Sequence, residues 1–325
     1  MNKLSMQTNS ARNILQNAQN FTAPEKAIIE YVKNGYNYKK PKVNSEVQVQ
    51  CNKEYFSIMD NGSGMSFEEL QNQFLVMNSE NYQRTIGNIT DGEFGTGKCA
   101  AFGVGGILSI KTVKNKLLNH IEIHKKDIEA TTGTNEVPVR VLIENQKDDS
   151  EDGTLVEISE LSEHAKKFNI NLIEKKIINK VKNKKDVNIW LQDELIEILI
   201  PEIDITKRFD TNKFANLDKY LGKNTVLTIN VSQAPLDRDE QGVSIYSNTI
   251  YHQKTLAGQE NKSFSLYIFG EIDLEELDSD EHEISPYLND RNGLNKQNPM
   301  AKALIMFIGN SIEEVYKILE ERDKE

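Results

Sequence analysis

Two cysteines in 325 residues, Cys51 and Cys99, are too few for a disulfide framework, so stability has to come from buried apolar cores. A chain of this length suggests about two domains of roughly 100 to 200 residues, each large enough to fold without covalent staples. Long apolar runs are missing too. The longest, such as ALIMFIG at 303 to 309, fall well short of the about 20 residues that a membrane-spanning helix needs. The opening stretch MNKLSMQTNSARNILQ has no apolar run of signal-peptide type, and the expected location is cytoplasmic, with no membrane involved. There is no excess of positive charge either. The formal net charge of -11 argues against a chain that simply coats nucleic acid, because phosphate binding is driven by clustered Lys and Arg. That balance leaves room for a local basic groove, but the lysine-rich piece EKKIINKVKNKKD at 174 to 186 reads as the solvated face of a surface helix. Internal repeats and low-complexity tracts are absent from the sequence.

One further absence concerns a single hydroxyl. The stretch GEFGTGKCAAFGVG, 92 to 105, fits G-x-x-x-x-G-K from Gly92 to Lys98, then has Cys99 where a phosphate loop needs Ser or Thr to coordinate magnesium. The preceding TIGNITDGEF makes a poor buried strand, and the chain lacks the alternating strand and helix units of a parallel sheet. These departures count against a P-loop, and the glycines need another explanation.

The organisation along the chain supplies the context. PEKAIIEYVKNGYNY, 24 to 38, opens with a proline suited to a first helical turn and places Ala27, Ile28, Tyr31 and Val32 at helical spacing, which predicts a helix ending near Gly35. VQVQ at 47 to 50 and YFSIM at 55 to 59 predict a hairpin that runs into DNGSGM. A helix over 66 to 77 follows, with Ser66 and Glu69 at capping-box spacing, and then a polar, glycine-dotted loop from 78 to 97. A helix is expected to begin at about Lys98. Beyond it ILSIKTV, HIEIHK, VPVRVLI and TLVEISE succeed one another with no helices between, which predicts an antiparallel meander covered by helices on one face. A helical stretch at about 162 to 184 and a hairpin in VNIWLQDELIEILI lead to Pro201, after which the pattern becomes irregular and a domain boundary is expected near 205. The second region has strands in TVLTINVS, GVSIYSNTIYH and FSLYIFGEID, then the loop NDRNGLNKQNP and a final helix from about Met300.

Four short boxes stand in order: Glu30 and Asn34 one turn apart on a helix, DNGSGM at 60 to 65, GEFGTGKCAAFGVG, and Gly153-Thr154 entering a strand. Singly each is weak, and Glu30 alone would read as a partner for Lys26. Together, within an antiparallel meander, they resemble the GHKL ATPase superfamily, which includes DNA gyrase B, Hsp90, histidine kinases and MutL, over about residues 20 to 160. The resemblance implies an α+β fold: a Bergerat-type α/β sandwich with a mixed, largely antiparallel sheet and helices on one face, followed by a smaller second α/β domain. It implies three segments: an N-terminal arm over 1–20, an ATP-binding domain over 21–205, and a transducer-like domain over 206–325.

The resemblance also implies ATP and Mg2+ as ligands. Glu30 would orient and deprotonate the attacking water, and Asn34 would be the protein ligand to the metal. Asp60 would accept the adenine amino group, Gly62 and Gly64 would let the backbone pass close to the ligand, Met65 would pack near the base, and Thr154 would share the adenine contact through water. Gly92, Gly95 and Gly97 would turn backbone N–H groups toward phosphate oxygens, with Lys98 following in the ATP lid. This removes the need for a hydroxyl at Cys99. Many family members carry an acid just before the asparagine and another three after it, whereas this chain has Lys33 and Asn37 there.

Histidine kinases carry a phosphoacceptor helix upstream, but all five histidines here, at 120, 124, 164, 252 and 282, follow the glycine loop. An ATPase domain followed by a mixed domain is instead similar to the layout of MutL, gyrase B, Hsp90 and MORC proteins. That layout implies a phosphate-reaching residue from the second domain, with Lys296 as first candidate and Arg291 as second, and an ATP-dependent homodimer closed through residues 1 to 20. The expected function is slow ATP hydrolysis switching a molecular clamp. The alternatives are a nucleotide-sensing subunit of a larger assembly with negligible hydrolysis and, ranked below it, a chaperone resembling Hsp90. The charged final helix EEVYKILEERDKE leads to the expectation of a protein partner or further domains, while DNA contact gains no support from the charge.

Overall fold

A computed structural model describes residues 9–76, 97–134, 136–182, 184, 186–211, 221, 225–278, 282–288 and 293–324. The chain divides into two units, Met1–Glu197 and Ile198–Glu325.

The first unit is built on an eight-stranded sheet. Strands β1 (Ser45–Cys51) and β2 (Tyr55–Asp60) form the expected hairpin, and their alternation puts Val47, Val49, Phe56 and Ile58 into the core. Then follow β3 (Ile107–Lys114), β4 (Leu117–His124), β5 (Arg140–Lys147), β6 (Gly153–Ser159), β7 (Val187–Leu191) and β8 (Glu194–Leu195). The sheet order is β5-β4-β3-β6-β2-β1-β7-β8, antiparallel except where β7 runs parallel to β1. The expected simple meander is therefore corrected: β3, β4 and β5 succeed one another, but β6 returns to pair with β3 on one side and β2 on the other, as in a Greek key. A short helix, Lys125–Ala130, also interrupts the run between β4 and β5. The return of β6 is what sets Thr154 opposite Asp60.

Helix α1 (Ser10–Ala18) is capped by Asn9 and buries Ala11, Ile14 and Ala18 in the first core. Helix α2 (Pro24–Asn37) starts at its proline and lies across β1 and β2. It ends at Asn37, close to the expected end near Gly35, but Gly35 itself does not terminate it. The glycine serves packing instead, since a Cβ there would lie 3.0 Å from Val47 Cγ2 and 3.2 Å from Asp60 Cβ. The capping box of Ser66 and Glu69 forms with both hydrogen bonds present, but the helix is shorter than expected: one α-turn, α3 (Phe67–Glu69), gives way to a π-turn over Leu70–Phe74. The helix expected from Lys98 is likewise a 3-10 turn, Gly97–Ala100, and one α-turn, α4 (Ala101–Val104). Helix α6 (Ile170–Val181), fifth of the series being Lys125–Ala130, buries Ile173, Ile177 and Val181 beside α2. Each fully buried Ile, Phe or Leu of this core is worth about 1.5 to 3 kcal/mol of transfer free energy.

The second unit has its own core around a five-stranded sheet of β9 (Ile203–Asp210), β10 (Val226–Ser232), β11 (Gly242–Ser247), β12 (Ile250–Thr255) and β13 (Ile268–Asp273), in the order β12-β11-β13-β10-β9. The region around 201 to 214, expected to be irregular, contains the edge strand β9; its side chains are mostly exposed, which erases the alternating pattern. Helix α7 (Pro299–Arg322) is capped by Asn298 and buries Leu304, Phe307, Ile308, Ile312, Val315 and Leu319. Among the described residues no helix is long and apolar enough to cross a membrane.

Candidate functional site

Helix α2 carries Glu30 and Asn34 on one face. Glu30 is partly buried, and its Oε1 accepts a 2.9 Å hydrogen bond from Lys33 Nζ. The pairing with Lys26 that the helical spacing allows is not the one that forms. Glu30 Oε2 points to the root of the glycine loop: a Cβ on Gly97 would lie 3.0 Å from it. Asn34 is exposed, and its side chain enters no hydrogen bond among the described residues. Tyr31 ties the same helix to that root, its hydroxyl donating to the Lys98 carbonyl at 3.0 Å and accepting from Ala101 N–H at 3.3 Å.

Asp60 ends β2 beneath α2, where Gly35 lets the helix come close. Burial raises its carboxyl to about 7, against the opposing pull of the Gly62 and Thr154 N–H groups and of Lys40. The Gly62 N–H donates to Asp60 Oδ1 at 2.8 Å. Gly64 takes φ +60°, and any side chain there would collide with the Val113 carbonyl of β3. Met65 packs against the first core, and its N–H donates to Thr112 Oγ1 at 2.8 Å. Thr154 is buried, with its hydroxyl 3.1 Å from that of Thr112.

The Lys98 side chain bonds the backbone that follows α3. Its ammonium donates to the carbonyls of Phe74, at 2.5 Å, and Val76, and lies 5.7 Å from the centroid of the Phe74 ring. Burial lowers it to about 8. Cys99 is fully buried, and burial pushes its thiol up to about 11, consistent with packing rather than chemistry. Gly92, Gly95 and Arg291 lie outside the described residues, as do residues 1 to 8 of the expected arm and the loop 78 to 96.

In the second unit Lys296 is exposed, on a segment sewn down on both sides. Asn295 N–H donates to the Pro286 carbonyl at 2.7 Å and Asn298 N–H to the Asn295 carbonyl at 2.9 Å, while Tyr287 stacks on His252 with centroids 4.4 Å apart.

Three residues of this arrangement were not singled out from the sequence for their role: Thr112, Tyr31 and Lys33. Thr112 carries a legible signal, because it continues the inward phase of Leu108 and Ile110 along β3 as a polar residue. No pattern announces the double hydrogen bond of Tyr31.

The described residues contain no cluster of three His, Cys, Asp or Glu that would cage a metal. A single free amide oxygen at Asn34 fits instead a magnesium ion held mainly by phosphate oxygens and water.

No curated protein matches the chain. Residues 21–154 match the family described as histidine kinase-, DNA gyrase B-, and HSP90-like ATPase. That span begins just before α2 and ends at Thr154, so it holds Glu30, Asn34, Asp60 and the glycine loop. Residues 21–154 match a GHKL-type ATPase domain, and the first unit, which contains them, has the mixed, mostly antiparallel sheet with helices packed on it that such a domain requires.

Proposed function

We propose that this chain binds Mg-ATP in its first unit and hydrolyses it slowly, and that turnover is coupled to homodimerisation of a molecular clamp. The observation that carries this reading is the convergence on α2: Glu30 and Asn34 share a face, the Gly97 backbone lies against the Glu30 carboxylate, and the same helix crosses Asp60 at Gly35. In this reading Asp60 accepts the adenine amino group, with Thr154 acting through water and Met65 beside the base. Gly62 and Gly64 leave room for the ligand, and Gly92, Gly95 and Gly97 offer backbone N–H groups to phosphate oxygens. Asn34 would hold magnesium, which when bound neutralises phosphate charge. Glu30 Oε2 takes the proton of the attacking water. Lys98 serves the nucleotide by leaving its present carbonyl partners. Lys296, with Arg291 as the second candidate, contacts the terminal phosphate from the second unit.

The partners in this proposal are a second copy of the chain and a protein effector or further domains, in the cytoplasm. DNA contact has no support from the net charge of -11. The gating is tested by measuring turnover per chain against protein concentration, with size-exclusion chromatography in a non-hydrolysable ATP analogue. Turnover that rises with concentration, together with an analogue-induced dimer, supports the clamp. Tight analogue binding with no change in size and no turnover favours a nucleotide-sensing subunit instead.

A further inference from the structure

Lys33 is a charged residue that α2 buries, at 6% exposure. It stands on the α2 face with Ile29, Val32 and Tyr36, and its ammonium goes to Glu30 Oε1. Taking an ammonium out of water is costly, and a buried ion pair is on balance often no more stabilising than an apolar pair of the same size. A lysine kept here for stability alone would therefore be a poor choice of residue. The pair has a geometric consequence, however. With Oε1 occupied by Lys33, the oxygen left to face the loop root at Gly97 is Oε2.

We infer that Lys33 is a positioning residue for ATP hydrolysis: it pins one oxygen of the Glu30 carboxylate so that the other is aimed at the attacking water. This rests on the assignment of Glu30 as the general base. A carboxylate on a flexible side chain loses rate when its acting oxygen is misplaced, and an error of about 1 Å can cost about a hundredfold. Lys33 touches neither water nor nucleotide in this role and acts through Glu30.

The test compares native chain, Lys33→Met, Lys33→Arg, Glu30→Ala and the double variant Glu30→Ala/Lys33→Met, measuring kcat and the affinity for a non-hydrolysable ATP analogue. Lys33→Met is expected to lower kcat by about ten- to a hundredfold with analogue affinity unchanged within about twofold, and Lys33→Arg to recover most of the rate. In the Glu30→Ala background the Lys33→Met change is expected to have no further effect on kcat. Unchanged kcat in Lys33→Met overturns the inference. So does a parallel loss of rate and analogue affinity, which marks a structural role, and so does a rise in kcat, which would make the pair an inhibitory clasp. A native chain without Glu30-dependent turnover overturns the functional reading itself, and the role of Lys33 with it.

Discussion

Burial raises the Asp60 carboxyl to about 7 even though two backbone N–H groups and Lys40 pull the other way. In the unfolded chain an aspartate titrates near about 3.9, so between about pH 4 and 7 the folded protein binds more protons than the unfolded one. Stability associated with Asp60 is therefore present at low pH and lost as pH rises through 7, by about 1.4 kcal/mol for each pH unit in that window. Asp60→Asn lacks this dependence. Urea unfolding at several pH values is expected to show the variant gaining on the native chain up to about pH 7 and holding a constant lead above it. A difference independent of pH would contradict this account of the site. At this scale the sequence was legible wherever spacing carries the information. Glu30 and Asn34 are one turn apart, and Asp60 ends a strand before a glycine turn. Lys33 was visible only as a departure from a pattern, because its burial depends on what α2 packs against, and neighbouring residues in the sequence do not report that.

Elements bring these residues together through a few polar ties. The Thr112 hydroxyl accepts from Met65 N–H, donates to the Gly153 carbonyl at 3.2 Å and meets the Thr154 hydroxyl, so one side chain on β3 links the Asp60 turn to β6. Thr112→Val keeps the shape and leaves buried partners unsatisfied. It is expected to cost about 1 to 3 kcal/mol and to weaken nucleotide binding. The same change at Thr206, an exposed β9 residue whose hydroxyl bonds Asn230 of β10, is expected to cost less than about 0.5 kcal/mol. Equal losses at both positions would remove Thr112 from the account. The hairpins were readable from their alternation, and α2 from its proline and the spacing of its apolar residues. Two things were not: the return of β6 between β3 and β2, which is a matter of long-range pairing, and the shortness of the helices after Ser66 and Gly97.

Across the whole molecule the two units each bury their own core, and the proposed nucleotide site belongs to the first. A ligand that binds only the folded first unit stabilises it by mass action, about 2.7 kcal/mol at a hundred times its Kd. Calorimetry with a saturating ATP analogue is expected to raise the unfolding transition of the first unit in the native chain, and to leave it in place in Asp60→Ala. An analogue that moves no transition in the native chain would count against a nucleotide site in this unit. The most direct measurement is steady-state ATP turnover by the native chain and by Glu30→Ala, with analogue affinity measured on both. Loss of about 10²-fold or more in kcat with affinity preserved is the result expected of a general base on α2. Equal turnover in the two proteins would contradict the assignment of this site as the place where ATP is hydrolysed.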